Sequence, residues 1–177
     1  MKITRPIRAV LFDMDGVMVD SEFVYMKYLL EFAKEKNPAV KMEDINPMVG
    51  RSRQDSWTVM EQAVNNGENW ETLIREWADR DIYSQIDYRK IFRPEMKTTV
   101  QELKRRGYIV ALVSSTGPKL ISRIVEEVGM RPEFDLIVSG KQFKQSKPNP
   151  EIYHYTADTL GIREDECFVV EDSTVGI

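Results

Sequence analysis

Two aspartates one residue apart, Asp13 and Asp15, close the run AVLFDMDG, and Gly16 after them frees the backbone to turn. A short apolar run ending on two carboxylates reads as a buried strand that delivers both acids to one place. One aspartate can attack phosphorus as a nucleophile; a second can protonate the leaving oxygen and later deprotonate water. Further along, Ser114, Ser115 and Thr116 follow YIVALV, Lys147 stands in SKPNPEIY, and Glu171 and Asp172 follow CFVV. Asp13 and Asp172 can hold Mg2+, a hard cation that favours carboxylate oxygens and keeps places for phosphate oxygens and water. A hydroxyl and an ammonium suit phosphoryl oxygens, where charge must be stabilised during transfer. The same spacing recurs at Asp79 and Asp81, but there it continues an amphipathic helix with no strand before it, and reads as solvated surface.

These groups need elements to place them. IRAVLF, YIVALV, FDLIV and CFVV are short, nearly continuous apolar runs, as strands buried on both faces should be. Helical patterns separate them. Met96, Val100 and Leu103 share a face before Gly107; Leu120, Ile121, Ile124, Val125 and Val128 follow Pro118; and Ile152, Tyr153, Thr156, Ala157 and Leu160 follow Pro150. Proline opens and glycine closes these helices. Such alternation predicts a parallel sheet with helices on both sides, whose ligands gather at the carboxyl ends of the strands. Asp13, Asp15, Ser114, Ser115, Thr116, Lys147, Glu171 and Asp172 all fall at such ends or in the loops after them.

The stretch from Val17 to Phe92 differs. Asp20 or Ser21 can cap a helix carrying Phe23, Met26, Leu30 and Ala33 on one face. Ser52-x-x-Asp55 resembles a capping box ahead of Trp57, Met60 and Val64. Asn69 can cap another helix bearing Trp70, Leu73, Ile74, Trp77 and Ala78. The reading is an all-helical insertion, residues 17–92, in a discontinuous α/β core of residues 1–16 and 93–177.

Length and composition narrow the class. A chain of 177 residues suffices for one core with a modest insertion. Its formal net charge of -4 offers no nucleic-acid surface, and the run Lys104-Arg105-Arg106 sits where a helix would end, complementing its dipole. The single cysteine, Cys167, excludes an internal disulfide and looks like a small buried hydrophobe; the single histidine, His154, excludes a His-ligated zinc site. No apolar run approaches the ~20 residues of a membrane span, so a cytoplasmic location is expected.

The ordered set "DMDGV", Ser114, Lys147 in "KPNPEIY" and "EDS" resembles the four motifs of the haloacid dehalogenase-like superfamily, and the helical insertion resembles the cap of its beta-phosphoglucomutase-like branch. The resemblance implies a Rossmann-like core, with Asp13 as nucleophile and Asp15 as general acid/base. It implies Mg2+ held by Asp13, the Asp15 backbone carbonyl and Asp172, with Glu171 beside it, and a phosphoryl group held by Ser114, Lys147 and Ser115. "VGRSRQDS" resembles a substrate-selecting cap loop, which makes Arg51 and Arg53 candidate substrate contacts. In the family "EDSxxGI" opens a further helix and strand, so the C-terminal part of the core is expected to be missing here. The expected activity is a phosphatase acting on a small phosphorylated metabolite, a sugar phosphate by class. The alternatives are a phosphosugar mutase and a non-catalytic binding fragment. Oligomeric state is left open.

Overall fold

The four apolar runs pair as parallel strands in the computed structural model of the chain, which describes residues 6–145 and 147–173. Strand β1 (Ala9–Phe12) leads into helices α1 (Ser21–Lys36), α2 (Met42–Ile45), α3 (Arg53–Val64), α4 (Trp70–Ala78) and α5 (Ile82–Gln85). The chain continues through α6 (Pro94–Arg105), β2 (Ile109–Ser114), α7 (Pro118–Glu127), β3 (Leu136–Ser139), α8 (Glu151–Leu160) and β4 (Cys167–Val170).

The sheet order is β3-β2-β1-β4. From β1 the chain adds β2 and β3 on one side and then crosses to place β4 on the other. The strand order therefore reverses at β1 and β4, where connections diverge and leave a crevice at the carboxyl ends. Register sharpens this placement. Phe12 lies opposite Leu112 on one side and Val170 on the other, so the residues after β1 and β4 emerge level with each other. Ser114 and Ser139 are likewise paired across β2 and β3. Every residue of β1 is buried, as a strand with neighbours on both sides requires. Among the described residues β4 is an edge, and its Phe168 is 42% exposed.

By contact pattern the chain divides into two units: residues up to Asp20 together with those from Asp87 onward, and Ser21–Ile86. The second unit is helical, built around Phe32, Trp57, Met60, Leu73 and Trp77. Phe32 and Trp77 meet edge to face, with ring centroids 5.6 Å apart. Ser52 caps α3 by accepting from the Asp55 amide, and Asn69 caps α4 by accepting from the Thr72 amide at 2.9 Å. The buried stripe of α1 is Met26, Leu29, Phe32 and Ala33. The face expected from the sequence is thus rotated: Phe23, in the first turn, is 55% exposed, and its ring lies under the Lys27 ammonium at 4.3 Å from the ring centre. Cys167 also differs from its expected burial; on the edge strand it is only partly covered. Asp79 and Asp81 are exposed, as expected, while the intervening Arg80 forms a two-pronged ion pair with Glu35. Among the described residues no helix is long and apolar enough to cross a membrane.

Candidate active site

Asp13 is the first residue beyond β1. Its amide donates to the Val170 carbonyl at 3.0 Å, which carries the β1–β4 pairing one step past the strands and fixes the backbone from which both Asp13 and Glu171 project. The Asp13 side chain meets Lys147, whose Nζ donates to Asp13 Oδ1 at 2.8 Å, to Glu171 Oε2 at 2.8 Å and to the Val113 carbonyl at 2.9 Å. An ammonium has three N–H donors, and here each has an acceptor. Lys147 reaches this point from the loop between β3 and α8, where its peptide bond to Pro148 is cis. Tyr153, one turn into α8, places its hydroxyl 3.5 Å from Glu171 Oε2 and its ring 5.3 Å from Lys147 Nζ.

Burial and charge pull these groups in different directions. Burial raises the Asp13 carboxyl from 3.8 to about 6, outweighing the pull of Lys147 toward the ionised form. Burial alone would lower Lys147, but the two carboxylates outweigh it and hold the ammonium above its ordinary range. Glu171 is also penalised by burial, yet the bond and charge of Lys147 bring it below the usual carboxylate range. One ammonium thus compensates Glu171 well and Asp13 incompletely.

Ligand oxygens of Asp13, Glu171 and Asp172 lie within 4.8 Å of one another. Three carboxylates against one ammonium leave two formal negative charges, and a hard, all-oxygen donor set of this kind fits a divalent cation. Gly16 makes the approach of Asp172 possible. It has φ +75°, and a Cβ at that position would overlap the Asp172 carboxylate.

Asp15 lies on the same loop, half-buried, and its Oδ2 accepts from the Thr116 hydroxyl at 2.9 Å. Ser114 is fully buried, and its Oγ accepts from the Thr116 amide at 3.0 Å. Ser115 follows it in a partly exposed position. The structure therefore brings Asp13, Lys147, Glu171 and Asp172 into one cluster, with Asp15 and the Ser114–Thr116 turn on adjoining loops of the same unit. Arg51 and Arg53 belong to the helical unit, where both are exposed. Arg53 lines a cavity of about 430 Å³ there with Tyr25, Trp57 and Trp77. Tyr153, expected only on the apolar face of its helix, and Thr116, expected only as one of three hydroxyls after β2, both contact carboxylates here.

The family model for haloacid dehalogenase-like hydrolases matches residues 10–177. Hexitol phosphatase B of Escherichia coli (strain K12) is 26% identical over 179 residues, covering 100% of this chain and 80% of its own length. Phosphorylated carbohydrates phosphatase of Thermotoga maritima is 25% identical over 174 residues, covering 97% and 79%. Among solved structures, beta-phosphoglucomutase from Clostridium difficile matches with a TM-score of 0.67 at 22% identity, over 97% of this chain and 78% of that one. At that identity the likeness shows the fold.

Proposed function

The chain belongs to the haloacid dehalogenase-like hydrolase family and is a phosphohydrolase or phosphomutase of that type, and from that premise we propose that it is a Mg2+-dependent phosphatase of a small phosphorylated metabolite, a sugar phosphate by class. The observation that carries this reading is the convergence of Asp13, Lys147 and Glu171 at the carboxyl ends of β1 and β4, with Lys147 2.8 Å from each carboxylate. The names of the two phosphatases above support a phosphorylated carbohydrate as the substrate class.

In the proposed reaction an Asp13 carboxylate oxygen bonds to phosphorus while the bond to the leaving oxygen breaks, and Asp15 gives its proton to that oxygen. Water then bonds to phosphorus, the bond to Asp13 breaks, and the water proton passes to Asp15. Lys147, the Ser114 hydroxyl and the Ser115 amide hold the phosphoryl oxygens; Ser114 Oγ accepts from the Thr116 amide, a bond that does not use its own proton. Asp13, the Asp15 carbonyl, Glu171 and Asp172 are the groups assigned to Mg2+. When bound, the ion would supply compensation for the negative charge gathered at the site. Arg51 and Arg53 are assigned to substrate contact.

Phosphate release from a panel of phosphorylated metabolites tests the proposal. Release is expected to require Mg2+ and to be lost in Asp13→Asn. Equal rates for wild type and Asp13→Asn would overturn it, and conversion of a hexose 1-phosphate to its 6-phosphate without free phosphate would assign a mutase instead.

A further inference from the structure

We infer that Thr116 is a positioning residue for Asp15, held in place from the end of β3 by Ser139. The inference rests on the proposed reading of Asp13 as nucleophile and Asp15 as acid–base group.

Asp15 is a short side chain on a loop, and a proton can be passed only within hydrogen-bond reach of the reacting oxygen. Something must therefore fix its direction. Thr116 Oγ1 donates to Asp15 Oδ2 at 2.9 Å, across a sequence separation of 101 residues. A hydroxyl has one proton to give, and this one is aimed at the carboxylate. A carboxylate gripped at one oxygen presents the other in a set direction.

Thr116 is itself fixed on both sides of its backbone. Its amide donates to Ser114 Oγ at 3.0 Å, and its carbonyl accepts from Ser139 Oγ at 2.6 Å. Ser139 in turn accepts from the Lys141 amide at 3.3 Å, which turns its own proton toward Thr116. The next residue, Gly140, sits so close to the β2 turn that a Cβ on it would come within 3.2 Å of Ser115 Cα. The turn after β2 is thus wedged against the turn after β3, and its β-branched threonine has restricted side-chain rotation. Packing alone needs neither a buried serine hydroxyl pointed at Thr116 nor a threonine hydroxyl pointed at an acid.

The test compares two aryl esters of similar size, p-nitrophenyl phosphate and phenyl phosphate. The nitrophenolate departs readily without a proton, whereas phenolate does not, so only phenyl phosphate depends strongly on the acid. Because kcat/KM reports steps up to phosphorylation of Asp13, it isolates the proton given by Asp15. Thr116→Val is expected to lower kcat/KM on phenyl phosphate about tenfold or more, within the roughly 10²–10⁴-fold that general acid catalysis supplies. The loss on p-nitrophenyl phosphate is expected to stay below about threefold, judged against that same span. Ser139→Ala should show the same selectivity more weakly, Asp15→Asn more strongly, and Thr116→Ser, which keeps the hydroxyl, should restore phenyl phosphate turnover.

Equal losses on both esters, or no loss on either, would overturn the role given to Thr116. Failure of Thr116→Ser to outperform Thr116→Val would do the same. If Asp13→Asn hydrolyses p-nitrophenyl phosphate at the wild-type rate, the nucleophile assignment itself fails, a result read without any Thr116 variant.

Discussion

Replacing Gly16 by alanine separates the backbone requirement of the first loop from its role at the carboxylate cluster. Two effects are expected. Alanine at φ +75° costs about 1–2 kcal/mol relative to a relaxed backbone, or a loss of roughly 2–8 °C in Tm for a chain of this size. Second, the new Cβ would occupy the space of the Asp172 carboxylate, which must swing away and leave the cluster formed with Asp13 and Glu171. Losing one charged oxygen from the proposed divalent-cation site should weaken divalent binding on the order of 10–100-fold, the range seen when even a supporting partner is removed. Gly129→Ala is the control. Gly129 has φ +67°, and a Cβ added there would meet nothing within 4 Å, so that variant carries the backbone cost alone. Titration with Mn2+, followed by electron paramagnetic resonance, reads affinity directly, and a thermal melt in chelator reads stability. Similar melting losses in the two variants, with weakened Mn2+ binding only in Gly16→Ala, are expected. Mn2+ affinity within twofold of wild type in Gly16→Ala would refute the reasoning.

Lys147→Met leaves Asp13 and the buried Glu171 carboxylate without their ammonium and should cost about 3–5 kcal/mol at neutral pH, measured by urea unfolding; a loss under 1 kcal/mol would show that the cluster relaxes without it. Asp13 itself gives a pH signature in metal-free protein. Its carboxyl is raised from 3.8 to about 6, so its contribution to stability is present below pH 3.8 and disappears as pH rises through 6, by about 3 kcal/mol. Against Asp13→Asn in chelator, wild type should therefore lose relative stability between about pH 4 and 7, and a difference that is flat or grows with pH would contradict this. In the helical unit, Asn69→Ala removes the side chain that accepts from the Thr72 amide and should lower stability by about 1 kcal/mol; an unchanged melt would show that water replaces the cap.

Much of the fold can be read from the sequence because its strands are buried on both faces. Continuous apolar runs such as AVLF and IVALV need no partner to be recognised, and proline and glycine punctuate α7 and α8 by purely local chemistry. The helical face of α1 was less legible. Apolar residues stand on more than one side of that helix, and only the aromatic packing of Phe32 against Trp57 and Trp77 selects the buried one. At the candidate site, residue types and their order along the chain are local information, whereas pairing is not. Lys147 and Asp13 are 134 residues apart, and their contact depends on the level register of β1 with β4 and on the path of the loop before α8. Thr116 was invisible as a partner of Asp15 for the same reason, since nothing in Ser-Ser-Thr says which hydroxyl turns inward.

Lys147 links this geometry to the proposed chemistry. All three of its donors have acceptors, so a phosphoryl oxygen can be received only by exchanging one of those bonds. Exchange at Val113 would strip a strand carbonyl of a charged donor, and exchange at Glu171 would strand a carboxylate whose side chain is 3% exposed. A buried group left unsatisfied costs about 1–3 kcal/mol, and more when charged. Exchange at Asp13 is different. The oxygen released from the ammonium belongs to the very group proposed to attack phosphorus, and the ammonium turns toward the oxygens of that same phosphorus. In the proposed reaction the 2.8 Å bond between Lys147 and Asp13 would hold the carboxylate until substrate arrives and would be the one exchanged for a phosphoryl oxygen.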